Sequence, residues 1–314
     1  MKLQQLRYVC EVARRGLNVS AAAEALHTSQ PGISRRIREL EQELGVEIFV
    51  RQGKRVAALT EPGHAVLEIA ERMLAEADNL RRAGADFADE KLGTLTIAAT
   101  HTQARYALPR PVTAFKRRYP RVQLVIHQGN PTQICDMVLK GEADLGIATE
   151  QIGEHDELVS LPCYEWNRCV VVPPRHPLLK ERPLSLEAIA RYPIITYDFA
   201  FANRSLVQRA FAQRGLEPNV VLTALDSDVI KTYVELGLGV GIMARMAFDA
   251  KRDRTLRALD ASHLFASSTT RIGIRRGAYL RRYTYEFIEL FAPRLPRVVV
   301  ERAVRGEEGS HYQL

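Results

Sequence analysis

The sequence predicts an α/β protein with three parts: an N-terminal winged helix-turn-helix, a linker helix and a C-terminal domain of two α/β lobes. Three observations carry this prediction. Two short amphipathic helix patterns lie between Asn18 and Arg51. An apolar repeat with a period of about 3.5 residues follows from Glu61. After Gly93, strand and helix patterns alternate over about two hundred residues, more than one compact sheet usually needs.

In the first part, Val19, Ala22, Ala23 and Leu26 share one helix face, and Ile33, Ile37, Leu40 and Leu44 share a second. His27 to Gln30 leave room only for a tight turn, and Pro31 is tolerated only in the first turn of a helix. Gln30, Ser34, Arg35, Arg36 and Arg38 occupy positions that the second apolar stripe leaves free. On a helix lying in a major groove these side chains reach base edges and phosphates. On spacing alone, a helical hairpin with a solvated basic face is the favoured reading, and the wing, the linker helix and the family resemblance below shift it. Leu3, Leu6, Val9, Cys10 and Val12 predict the extra helix that closes the small core, and Gly45 stops the second motif helix. VEIFVRQGKRVAALT then reads as a hairpin about Gln52-Gly53-Lys54, a wing with Arg51, Lys54 and Arg55 near its tip.

Charge agrees with a polyanion partner. The chain carries 44 Lys and Arg against 37 Asp and Glu, a net charge of +7, and ten of those cations against six of the acids fall in residues 1–60. No apolar run approaches the roughly 18 residues of a membrane span, so no membrane partner is expected. The N-terminus has charges inside its apolar stretch and no small-residue cleavage site, so a cytoplasmic location is expected. Cys10, Cys135, Cys163 and Cys169 form no C-x-x-C pair and sit in no Cys/His cluster, so free thiols and no bound metal are expected.

From Glu61-Pro62, the apolar residues Val66, Ile69, Met73, Leu74, Ala77 and Leu80 predict a long helix that breaks around Gly84 and pairs with its twin in a dimer. Beyond Gly93, TLTIAAT, RVQLVIHQ, DLGIATE, RCVVVP, YPIITY, VVLTA, GVGIM and TTRIGIR read as strands with helix patterns between most of them. Parallel sheets with helices on both faces follow, in two subdomains flanking a cleft. The final ERAVRGEEGSHYQL reads as a polar, mobile tail.

Ligands of such sheets bind beyond the carboxyl ends of strands, where helix N-termini present free N–H groups. Two places fit: Thr100-His101-Thr102-Gln103, and Asn130-Pro131-Thr132-Gln133 with Asn130 as N-cap. Both offer hydroxyls, amides and backbone donors without a carboxylate, which suits a small anion, each helix end contributing about 0.3–1 kcal/mol. Simple capping is the alternative reading of the same residues. Thr149 and Trp166 are placed to line the same cleft, although a lone Trp also serves as core. Gly237, Gly239 and Gly241 follow a helix and precede a strand, the reverse of a nucleotide cradle, so no nucleotide or other cofactor is expected. No acid is placed in the sequence to orient His101, and no catalytic set emerges.

The segment AEALHTSQPGISRRIREL from Ala23 to Leu40, with Phe49, Arg51, Thr60 and Gly63 after it, closely resembles the LysR-type transcriptional regulators. The resemblance continues to about Arg297, where THTQARYALP, GNPTQI, GIATE, LPCYEWNR and DVIKTYVELGLGVGIMA resemble the branch of that family acting on the cysteine regulon. It implies a DNA-binding domain at 1–60, a linker at 61–90, a type II periplasmic-binding-protein-like domain at 91–297 and a tail at 298–314. Within the binding domain it implies lobe I at about 91–162 and 268–297, and lobe II at about 163–267. It further implies a homotetramer on double-stranded promoter DNA of sulfur-assimilation genes, RNA polymerase as a further partner, and no enzymatic activity. The implied effector is N-acetylserine or O-acetylserine, with sulfate or a related anion in the same class. Thr100, Thr102, Gln103, Thr149 and Trp166 would be ligand contacts, joined by Asn130, Pro131 and Thr132. Ala202, in TYDFAFANRS, stands where that family has threonine, and Asp198 adds an acid nearby. The competing readings are a related sulfonate and sulfate-starvation regulator with another sulfur metabolite as effector and, from a different class, a small-anion solute-binding protein.

Overall fold

The structure, a computed structural model, describes residues 1–53, 55–149, 152, 155–197 and 206–307. The chain divides into two compact units, Met1–Phe87 and Ala88–Leu314.

The first unit holds helices α1 (Leu3–Arg14), α2 (Val19–Ala25) and α3 (Gln30–Leu44), strands β1 (Phe49–Gln52) and β2 (Arg55–Leu59), and most of helix α4 (Glu61–Ala88). Local signals set the boundaries. Asn18 Oδ1 accepts the Ala21 N–H at 3.0 Å, starting α2, and Ser29 Oγ accepts the Gly32 N–H at 3.2 Å, starting α3 with Pro31 in its first turn. α3 stops at Gly45, whose φ of +71° is costly for any residue with a Cβ. The predicted faces meet in one core: Val9 and Val12, Ala22 and Ala23, then Ile33, Ile37 and Leu40, closed by Ile48, Phe49 and Ala70. β1 and β2 pair antiparallel with Gln52 opposite Arg55, the expected wing. Thr60 Oγ1 accepts the Gly63 N–H at 2.8 Å and begins α4. Gly63 lies so close to the preceding loop that a Cβ there would fall 2.0 Å from the Ile48 carbonyl oxygen.

α4 runs through Gly84 instead of breaking there. One glycine costs a helix only about 1 kcal/mol, and the pair Arg82–Asp78 at 2.8 Å supports the adjoining turn. Val66, Leu67 and Leu74 pack on the first unit's core, whereas Ile69, Met73, Leu80 and Phe87 stay exposed in a stripe of near-heptad spacing.

The second unit contains two five-stranded sheets. The first is built from β3 (Gly93–Ala99), β4 (Val122–Gln128), β5 (Leu145–Ala148), β6 (Leu158–Trp166) and, much later, β12 (Ser268–Arg275), in the order β4-β3-β5-β12-β6. The second uses β7 (Arg168–Val172), β8 (Ile194–Tyr197), β9 (Val220–Ala224), β10 (Val240–Ala244) and β11 (Arg257–Asp260), in the order β11-β7-β10-β8-β9. The polypeptide passes between sheets at Asn167 and again between Ala261 and Ser267. The return implied near Thr269 is thus present, while the first lobe's strand reaches Trp166 rather than ending at 162.

The expectation of parallel sheets is corrected. β3 pairs parallel with β4 and β5, and β8 with β9 and β10, but β12 is antiparallel to β5 and β6, and β7 to β10 and β11. β6 and β11 had no sequence signal as strands. Pro162 obscured β6, and it sits where the β6–β12 ladder slips in register on an edge strand, a place that tolerates proline.

Helices α5 (Pro109–Arg118), α6 (Pro131–Leu139) and α10 (Arg282–Phe291) pack on the first sheet, where Phe115 and Phe287 meet edge to face at 5.6 Å. Helices α7 (Leu186–Ile189), α8 (Leu206–Gln213) and α9 (Ser227–Glu235) accompany the second sheet. The tail is also corrected: α11 (Arg297–Arg305) buries Val300, Ala303 and Val304 in the first lobe's core. Their helical spacing was hidden among charges. All four cysteines are buried free thiols.

Candidate DNA-binding and effector sites

The outward face of α3 carries the predicted DNA contacts, but not all of them are free. Gln30 Nε2 donates to Ser34 Oγ at 3.3 Å, so the two expected base readers hold each other at the start of the helix. Arg35 and Arg36 both pair with Glu39, at 3.4 Å and 2.9 Å, in exposed i,i+4 and i,i+3 geometries that a phosphate displaces at little cost. Arg38 is exposed and, like Arg55 on the wing, makes no ion pair among the described residues. Arg51 differs. Its guanidinium lies 2.7 Å from Glu41 Oε2, and Glu41 Oε1 accepts the N–H groups of Ile48 and Phe49 at 3.0 and 3.3 Å. Arg51 therefore ties the wing to α3 instead of presenting a loose cation. Lys54 lies outside the described residues.

In the second unit, strand register assembles the other candidate site. β4, β3 and β5 run parallel, with Ala99 opposite both Gln128 and Ile147, so Thr100, Gly129-Asn130 and Thr149 all follow the carboxyl ends of neighbouring strands. β6 points the same way, and Trp166, opposite Ser268, ends it at the same edge. The predicted residues thus converge where the chain crosses between lobes.

Their roles differ in detail. Thr100 donates its N–H to Ile147 and accepts that of Ala104, opening a helix whose next turn, Gln103–Ala107, widens to a π-helix closed by Leu108 N–H on Gln103 O at 3.0 Å. Pro109 follows, and lacking an N–H it cannot continue the α-helical ladder. Thr102 is buried, its hydroxyl 3.5 Å from Ser227 Oγ of the opposite lobe, and Ser227 lies 2.7 Å from the Tyr197 hydroxyl. Gln103 is engaged at both ends: its amide donates to Thr270 at 2.9 Å and its carbonyl accepts the Tyr164 hydroxyl. Gln103, expected as a ligand contact, also holds the turn to the first sheet. Asn130 and Gln133 form a reciprocal capping box at α6, the alternative the sequence left open, with Pro131 half-buried and Thr132 exposed in the first turn.

Two buried donors or acceptors at this edge, His101 Nδ1 and Trp166 Nε1, have no hydrogen-bond partner among the described residues. Such atoms are uncommon in native proteins, and each leaves a polar valence open at this edge. Arg168 stacks its guanidinium 5.1 Å from the Trp166 ring centroid and reaches Ala266 O and Ser268 Oγ at 3.2 and 3.1 Å, clamping the two crossing segments together. Ala202 and Asp198 lie outside the described residues.

Carboxylates absent from the two predicted turns come from the second lobe. His101, Asp226 and Asp228 bring one ligand atom each within 4.8 Å of one another. Asp228 is already compensated by Arg105 and Lys231, and Asp226 caps α9 through the Val229 N–H at 2.8 Å, so the trio does not form a ready metal centre. Burial works against the Asp228 charge, yet hydrogen bonds from Tyr106 and Lys231 hold its carboxyl below the usual range. Burial likewise pulls the Lys231 pKa down, but bonds to Tyr106, Asp228 and Asp253 outweigh it and raise the value. Sequence reasoning missed this cluster; its signal was a lysine at a core-facing position of VIKTYV.

Comparison with known proteins fits both halves. The bacterial regulatory helix-turn-helix family of lysR type matches residues 3–64, and the LysR substrate binding domain matches residues 88–296. The regulator CysB of Burkholderia cenocepacia is 55% identical over 311 residues, 99% of each chain. SsuR of the same organism is 53% identical, covering 97% of this chain and 99% of that one, and Cbl of Escherichia coli is 46% identical over the whole of both. Among solved structures, the cofactor-binding domain of the Cbl regulator superposes with a TM-score of 0.65 at 44% identity, covering 68% of this chain and 93% of that one. A full-length OxyR variant from Pseudomonas aeruginosa, at 23% identity and TM-score 0.62 over 95% of this chain and 99% of that one, shares the fold. The chain therefore belongs to the LysR family of transcriptional regulators and is, within it, a DNA-binding regulator of the CysB and Cbl kind rather than an enzyme.

Proposed function

We propose that this regulator controls genes of sulfur assimilation and cysteine synthesis, and that it responds to a small anionic sulfur or serine metabolite held at the carboxyl edge of the first sheet. Acetylserine and sulfate head the candidates. The observation that carries the reading is the convergence of Thr100, Asn130, Thr149 and Trp166 on one edge beside His101 Nδ1 and Trp166 Nε1, which have no partner among the described residues. An anion there accepts from both rings, from the threonine hydroxyls and from the helix N-terminus that Thr100 opens.

On DNA, α3 enters the major groove. Gln30, Ser34 and Arg38 read bases, Arg35, Arg36 and the wing cation Arg55 hold phosphates with Lys54 beside it, and Arg51 orients the wing. The exposed stripe Ile69, Met73, Leu80 and Phe87 on α4 supports pairing of two chains, with a tetramer and RNA polymerase contact as the larger assembly. The cytoplasm is the fitting compartment. No helix among the described residues is long and apolar enough to cross a membrane. A regulator of sulfonate or sulfate starvation is the second reading, because SsuR at 53% identity stands beside CysB at 55%.

Thr100→Ala combined with Thr102→Ala tests the effector site. Acetylserine and sulfate should then give no thermal shift, while promoter affinity in their absence stays at the parent level. Loss of both together assigns the threonines to folding. In the parent, a shift with thiosulfate or adenylylsulfate but not with acetylserine favours the second reading.

A further inference from the structure

Tyr106 belongs to the first lobe by sequence and to the second by contact. It lies in the π-helical turn after β3, yet its ring packs against the core formed by Cys169, Val171, Ile230 and Met243 on one face of the second sheet. Its hydroxyl donates to Asp228 Oδ1 at 2.7 Å and accepts from Lys231 Nζ at 3.0 Å. Lys231 Nζ also reaches Asp253 at 3.1 Å and the Ala247 carbonyl at 3.2 Å, and lies 5.4 Å from the Tyr106 ring centroid. Arg105, the neighbouring residue, pairs with Asp228 as well.

A buried ammonium is tolerated only when its hydrogens and charge are compensated. Here the compensation includes a hydroxyl contributed from across the cleft, so the second lobe's buried cation is completed by the first lobe. The turn that carries Tyr106 is the one that begins at Thr100. Ala104 N–H bonds to Thr100 O at 2.9 Å and Leu108 N–H to Gln103 O at 3.0 Å, and the Gln103 side chain fastens the turn to Thr270 and Tyr164. Residues 100–108 are therefore tied into one hydrogen-bonded turn. We infer that Tyr106 is a positioning residue for the effector site, a pin that seats the ligand-bearing turn in the second lobe. This inference rests on reading that turn as the effector site. Occupancy of Thr100 and Thr102 and seating of Tyr106 are then coupled, and the coupling is reciprocal. Asp228 is the socket, since it receives both Tyr106 and Arg105 from the opposite lobe.

The test uses the full chain with Tyr106→Phe, which keeps the ring and removes the hydroxyl, and Asp228→Asn, which keeps the socket's shape and removes its charge. Hydrogen exchange without ligand reads the pin directly. Residues 100–108 and the start of α9 should exchange faster in both variants, about ten-fold, as expected for one lost charged hydrogen bond, while β3 and β12 stay at the parent rate. Sulfate, the probe ligand, should bind each variant about ten-fold more weakly. Unchanged exchange in the 100–108 segment in both variants overturns the inference. So does acceleration spread evenly through the first lobe, which marks Tyr106 as a general core residue. If the parent binds neither sulfate nor acetylserine, the effector reading falls by itself, and the ligand-free exchange still decides whether Tyr106 pins the lobes.

Discussion

Glu41→Ala should unfasten the wing from α3. The carboxylate is nearly buried, with 10% side-chain exposure, and it serves three donors: Ile48 N–H at 3.0 Å, Phe49 N–H at 3.3 Å and Arg51 at 2.7 Å. A hydrogen bond to a charged group contributes about 1.5–3 kcal/mol, and a long one sits at or below the bottom of that range. Arg51, with 26% side-chain exposure, recovers water once released, so its share is small. Most of the loss is thus the two backbone donors at the entry to β1, and the sum comes to about 2–3 kcal/mol. In a unit of this size that corresponds to a lowering of its transition by about 10–20 °C, measured by differential scanning calorimetry of the full chain. Arg51→Ala should cost under about 1 kcal/mol and leave the salt dependence of promoter binding at the parent slope. Two results refute the reasoning: a Glu41→Ala loss below about 0.5 kcal/mol, or a slope reduced by about 0.9 in Arg51→Ala, which makes Arg51 a phosphate contact.

Gly63→Ala should destabilise the first unit by about 3 kcal/mol, seen in urea unfolding, because the new Cβ meets the Ile48 carbonyl, a backbone group that cannot swing aside as a side chain would. The thiols should be inert in the native state. Burial pushes Cys163 and Cys169 up to about 12 and Cys10 up to about 11, from 9.0 in the open chain. Folding therefore holds these protons in place: their contribution to stability is complete below pH 9.0 and declines as pH rises towards the folded values. A thiol reagent at pH 8 should label the chain only after denaturant is added, and the unfolding midpoint should fall from pH 9 to pH 11.

Local chemistry was legible in the sequence wherever a few neighbouring residues settle the structure. Pro31 and Gly45 bracket α3 as expected, and Thr100 and Asn130 open the helices assigned to them, while the caps Asn18 and Ser29 are equally local signals that the spacing-based reading passed over. Pairing across long distances was not. β12 enters between β5 and β6 from more than a hundred residues away, and nothing in TTRIGIR announces an antiparallel neighbour. At the sites, residue type identified polar groups but not their partners. Nothing in the sequence pairs Gln103 with Thr270 and Tyr164, or Arg51 with Glu41. The Tyr106, Asp228 and Lys231 cluster joins two lobes, so no single stretch of sequence contains it.

The late return of β12 also bears on synthesis. Residues 168–260, which supply all five strands of the second sheet, emerge from the ribosome as one uninterrupted stretch, whereas the first sheet waits for residue 275 before its fourth strand in order exists. Domains generally fold as units during translation. The inserted lobe can close its sheet first, leaving β5 and β6 with exposed edges until β12 slots between them. Until residue 275 is made, β5 has one open edge and β6 has no partner strand in its sheet.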